Sequence, residues 1–85
     1  MTEAVTTTDH HAIRKWAEAR DGHPARVKDQ GDGGILRFDF GEPHEDLERI
    51  SWDNFFAIFE ENNLAFLHQE RTTEGISRFN KFVER

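Results

Sequence analysis

Along "RISWDNFFAIFEENNLAFLHQE", residues 49–70, Trp52, Phe55, Phe56 and Phe59 fall at i, i+3, i+4 and i+7. That is the period of one helical face. Ser51 is placed to cap this helix, with Ile50 before the cap and Phe55 inside it as the two arms of a hydrophobic staple. Asn62 and Asn63 tolerate the left-handed conformation that closes a helix. Earlier in the chain, Ile13, Trp16, Ala17 and Arg20 recur at helical spacing after Thr8 and Asp9, either of which suits an N-cap. "RDGHP" ends that helix, with Gly22 as the αL residue and Pro24 beyond it.

Other stretches change period. Residues 25–29 alternate weakly, Ala25 and Val27 against Arg26 and Lys28. In "ILRFDF", Leu36, Phe38 and Phe40 alternate with Ile35, Arg37 and Asp39. The intervening "QGDGG" is rich in residues that accept positive φ, so the two runs read as a β-hairpin. "LAFLHQE" reads as a strand, "RTTEG" as a turn, "SRFNKFV" as the returning strand and "GEPHEDLE" as a polar loop. The predicted order is α-β-β-α-β-β. It makes an α+β domain over residues 8–85, with a four-stranded antiparallel sheet and both helices on one face. Residues 1–7 read as a disordered tail, and no internal repeat is evident.

Composition explains the aromatic density. Eighty-five residues suffice for one domain with a thin stability margin, and there is no cysteine to staple it. Eight Phe and two Trp supply the buried area instead. The aromatic stripe therefore reads as core rather than as a recognition face.

Charge restricts the partners. The net charge is −6, and residues 39–61 hold eight acids against Arg49 alone. Such a segment disfavours a general duplex binder, whose affinity comes from neutralising phosphates. No apolar run is long enough to span a bilayer, and "MTEAVTTTDHH" lacks a signal-peptide core, so no membrane association and a cytoplasmic location are expected.

Candidate chemistry is sparse. His10, His11, His23, His44 and His68 are scattered through the predicted elements, without HExxH or calcium-loop spacing, so neither metal nor cofactor is expected. Ser51 is explained as a cap, Ser77 as a strand entry, and no Gly-x-Ser-x-Gly elbow is present. "QGDGG" joins two strands rather than opening a helix, which a phosphate cradle requires. An enzyme is not expected.

The remaining surface is the sheet face turned away from the helices. On the predicted alternation it carries Arg26, Lys28 and Arg37, joined by Arg78 or Lys81. These residues, or the acidic 42–48 loop, define a binding surface for a partner protein, in a chain expected to be monomeric. The alternative is weak nucleic-acid binding through the same basic face.

"IRKWAEARDGHPARVKD", "GGILRFDF", the 50–70 stretch and "SRFNKFVER" together resemble a family of small bacterial proteins with no established function. Some sequences of this kind are mislabelled as glucan-branching enzymes, which need a barrel of about 250 residues, far more than the 85 here. The resemblance supplies no functional residue.

Overall fold

A computed structural model of the chain describes residues 4–28, 36–72 and 75–85. Strand β1 (Val5–Thr7) leads into helix α1 (His10–Glu18), followed by β2 (Gly22–Val27), β3 (Leu36–Phe40) and β4 (Leu47–Arg49). Helix α2 (Trp52–Glu61) precedes β5 (Leu64–His68), the two-residue strands β6 (Arg71–Thr72) and β7 (Gly75–Ile76), and β8 (Asn80–Glu84).

Both helix starts follow the expected chemistry. Asp9 accepts the His11 N–H at 3.0 Å, and Ser51 Oγ accepts the Asn54 N–H at 3.0 Å, each satisfying a donor the helix leaves open. The ends differ in one detail. Asp21, with φ 56°, is the left-handed residue after α1, and Asn63, with φ 53°, is its counterpart after α2. Gly22 is needed for another reason. A Cβ there would lie 3.0 Å from Phe40 Cε1 and 3.1 Å from the Ala17 carbonyl, so its lack of a side chain lets β2 close on both. Strand β2 accordingly begins at Gly22 and includes Pro24, whose carbonyl accepts the Ile50 N–H at 2.9 Å.

The sheet departs from the expected single four-stranded arrangement. Two three-stranded antiparallel sheets form, ordered β1-β5-β8 and β3-β2-β4, and β6 and β7 make a separate two-stranded pair. The extra strands come from segments read as tail and loop. Val5–Thr7 pairs with Phe66–His68, and Leu47–Arg49 pairs with Ala25–Val27. At three residues each, they are too short for alternation to mark them. Their extended state is set by a distant partner strand.

The aromatic stripe is core. Ile13, Phe55, Phe59 and Phe66 are fully buried, and each such Phe contributes about 1.5–3 kcal/mol over its exposed state. Phe38 is the hub, with Phe55 at 5.1 Å, Phe66 at 5.5 Å, Phe82 at 5.7 Å and Trp52 at 5.9 Å between ring centroids. Trp16 of α1 reaches Phe66 at 5.1 Å, while Phe55 of α2 reaches Phe82 at 5.6 Å. Both helices thus pack on the aromatic side of the two sheets. Trp52 and Phe56 are only half-buried, at the margin of this cluster.

A repeat invisible in the residue types emerges in the backbone. The unit β1-α1-β2-β3 is followed by β4-α2-β5-β8, with β6-β7 inserted before the last strand. One constant spacing relates Asp9 to Ser51 as caps, Ile13 to Phe55 as buried helix centres, and Asp21 to Asn63 as left-handed stops. The same spacing relates Pro24, opposite Phe38, to Phe66, opposite Phe82. The first strand of each unit pairs with the second strand of the other. The hairpin strands β3 and β8 are left as outer edges of their sheets.

Candidate functional site

The four basic residues singled out in the sequence do not share one face. Strand register is the cause. Arg26 lies opposite Leu36 and Glu48, on the side of the sheet that carries Phe38, whereas Arg37 lies opposite Ala25 on the other side. The expected alignment of Val27 with Leu36 and Phe38 is off by one residue, and a one-residue slip exchanges the two faces of a strand. Arg26 Nε meets Glu48 Oε1 at 2.6 Å, at the mouth of an open groove between β4 and α2 lined by Ile50, Asn54 and Ile58. Lys28 follows β2, where its N–H donates to the Asp46 carbonyl at 3.1 Å. Arg78 sits far from Lys28 in the chain, its guanidinium 5.2 Å from the centre of the Phe40 ring.

Arg37 does find basic company. With Lys81, Asn80 and Phe82 it lines a groove of about 430 Å³ between β3 and β8. Arg37 and Lys81 are both exposed. Arg37 Nη1 donates to the Leu36 carbonyl at 3.0 Å, and Asn80 Nδ2 donates to the Arg78 carbonyl at 2.8 Å. Neither Arg37 nor Lys81 has an acidic partner among the described residues. Arg14, Arg20, Arg26, Arg49 and Arg85 each have one, Glu18, Glu70, Glu48, Asp39 and Glu60 respectively. Strands β3 and β8 also do not pair with each other: no ladder or backbone hydrogen bond joins them, and among the described residues each has a ladder on one side only. Phe82 lines the groove, and its ring centre lies 5.7 Å from that of the buried Phe38.

The acidic loop is anchored rather than free. Asp39, read from the sequence as an outward residue, is 2% exposed and accepts from the His44 N–H at 3.1 Å and Arg49 Nε at 3.0 Å. Burial pushes this carboxyl up. The His44 and Arg49 donors outweigh it and hold the group below its ordinary value. The acid inside "LRFDF", ten residues before Arg49, was the available signal for this contact. Glu42, Glu45 and Asp46 remain exposed around it.

A second polar cluster lies at the end of α1. The Arg20 guanidinium donates to the carbonyls of Trp16 (2.8 Å), Glu70 (2.8 Å), Gln69 (3.5 Å) and Ser77 (2.6 Å), and stacks over the Trp16 ring at 4.2 Å. Burial lowers its pKa and Glu70 opposes that shift. Ser77 Oγ donates to Gln69 Oε1 and accepts the Phe79 N–H, both at 3.0 Å. His68 stacks on Phe66 at 5.3 Å, and its buried Nδ1 has no hydrogen-bond partner among the described residues. Burial lowers the His68 pKa, Arg20 adds to that effect and Glu70 opposes it. The cluster holds backbone together and presents no activated nucleophile.

Among the described residues no group of three or more His, Asp or Glu side chains is placed to hold a metal ion. No described helix is long and apolar enough to cross a membrane. No family model, no curated protein and no solved structure matches this chain.

Proposed function

We propose that the protein is a non-enzymatic, monomeric module of the cytoplasm that holds an acidic partner protein against the Arg37–Lys81 groove. The supporting observation is a charge imbalance. Acids outnumber bases 17 to 11, yet two neighbouring cations line one groove without an ion-pair partner among the described residues. Cations exposed in this way steer an oppositely charged partner and set its orientation. The buried polar groups favour binding over chemistry, because Arg20, Asp39 and Ser77 are each engaged in holding backbone or neighbouring side chains. The likeness to small bacterial proteins of no established function fits such a role and assigns no residue to it.

Amide chemical-shift titration with a glutamate-rich peptide tests the reading. Shifts are expected at residues 36–38 and 80–82, weakening as salt rises. Arg37→Glu with Lys81→Glu lowers affinity at least about tenfold, while Arg26→Glu, outside the groove, leaves it within about twofold. The reading fails if the double variant binds as well as the parent. A short oligonucleotide that outcompetes the peptide there would replace it with phosphate recognition.

A further inference from the structure

The groove is bounded by backbone as well as by charge. Among the described residues, strand β3 pairs only with β2 and β8 only with β5, so each has one edge outside a ladder, where the Leu36 carbonyl accepts only from the Arg37 side chain. Neighbouring strands in a sheet lie about 4.8 Å apart and exchange a ladder of hydrogen bonds. Strands β3 and β8 exchange none and do not run alongside each other as ladder neighbours, although Phe38 and Phe82 touch beneath them. Two equivalent edges of the repeat thus flank an opening, each five residues long.

Resting on the acidic-partner reading, we propose that the occupant is an extended segment of a partner protein, about five residues long, inserted as a strand between β3 and β8. Its alternate residues point to opposite faces. On the outer face, acidic side chains meet Arg37 and Lys81. On the inner face, apolar side chains rest on Phe82. The segment therefore alternates acidic and apolar residues, and its backbone hydrogen-bonds to both edges, joining the two sheets. Strand addition of this kind draws affinity from main-chain bonds and selectivity from alternate side chains.

The probe is an acetylated Glu-Val-Glu-Val-Glu peptide, titrated against the full chain and followed by amide shifts and hydrogen exchange. In one modified peptide the Val amides are N-methylated, and in another the Glu amides. Successive amides of a strand point to opposite neighbours, so each set removes the donors to one edge. Insertion predicts that either set alone weakens binding at least about tenfold. It also predicts new exchange protection in both 36–40 and 80–84. Sensitivity to one set only overturns the bridging strand in favour of addition to a single edge. If both modified peptides bind as the parent does, while Arg37→Glu with Lys81→Glu abolishes binding, insertion is overturned and the charge reading stands. If the unmodified peptide does not bind at all, both readings fall.

Discussion

At the end of α1, Arg20 Nη1 donates to the Trp16 carbonyl at 2.8 Å, and at the matching position of α2, Asn62 Nδ2 donates to the Ile58 carbonyl at 2.9 Å. Both side chains donate to a carbonyl in the last turn of their helix, and the Ile58 carbonyl also accepts the Asn62 N–H at 3.0 Å. They differ in reach. The Asn62 amide contacts its own helix, whereas the Arg20 guanidinium continues to Gln69, Glu70 and Ser77 and ties the β6–β7 segment to α1. One backbone plan is used twice. The length and charge of one side chain decide whether the helix end is merely closed or also holds a neighbouring segment.

The largest effects are expected at the helix centres. Phe55→Ala is expected to cost about 3–5 kcal/mol, and Ile13→Ala, at the matching position, about 2–5 kcal/mol. Denaturant melts followed by far-UV and aromatic signals check this. The shared hub at Phe38 requires both signals to be lost in one transition, so loss of one sheet ahead of the other would contradict a common core. Phe56→Ala, at the half-buried margin, should cost less than about 2 kcal/mol.

The two helix ends separate next. Arg20→Ala leaves several buried carbonyls unpaired and should lower stability by about 3 kcal/mol, whereas Asn62→Ala, at an exposed site, should cost under about 1 kcal/mol. Amide exchange at residues 69–77 should rise selectively in the Arg20 variant. Equal losses at the two positions would end the distinction drawn between them.

The smallest effect concerns pH. Burial lowers the His68 pKa in the fold, so the folded chain binds fewer protons than the unfolded one below the ordinary imidazole value of about 6.5. Stability from this group is complete above that value and declines as pH falls toward the lower folded pKa. The groups facing the ring include Trp16, Phe66, Arg20 and Glu70. Urea midpoints at pH 7.5 and 5.5 should fall in the parent and fall less in His68→Phe. At still lower pH, Glu60 adds to the loss, because the His10 and Arg85 hydrogen bonds hold its carboxylate below the ordinary value. Identical parent midpoints at the two pH values would remove His68 from the account.

Much of this fold was legible in the residues. Capping oxygens at Asp9 and Ser51, the Ile13–Trp16–Ala17–Arg20 stripe and the Asn62–Asn63 stop are local chemistry, and local chemistry is written in adjacent positions. The hairpin runs 36–40 and 64–68 alternate clearly enough to be read. Strands β1 and β4 were not, since each is extended only because a distant strand pairs with it. The repeat is not legible in the residues because its matching positions share roles, such as Asp and Ser as caps or Asp and Asn as stops, rather than identities. The sequence offers Arg78 or Lys81 as the companion of Arg37, and the placement of β3 and β8 brings Lys81 to it. Arg26 was assigned to the wrong side by a single residue of register, which weak alternation in "ARVKD" does not fix.

Strands β3 and β8 are separate edges flanking one groove. Residue-resolved amide hydrogen exchange on the unliganded chain tests that separation most directly. The central strands β2 and β5 should be protected at successive residues over Ala25–Arg26 and Phe66–His68, where each has a neighbour on both sides. Strands β3 and β8 should alternate between slow and fast amides, the fast ones facing the groove. Continuous protection along both β3 and β8 would mean that these edges are already paired, leaving no open groove between the two sheets.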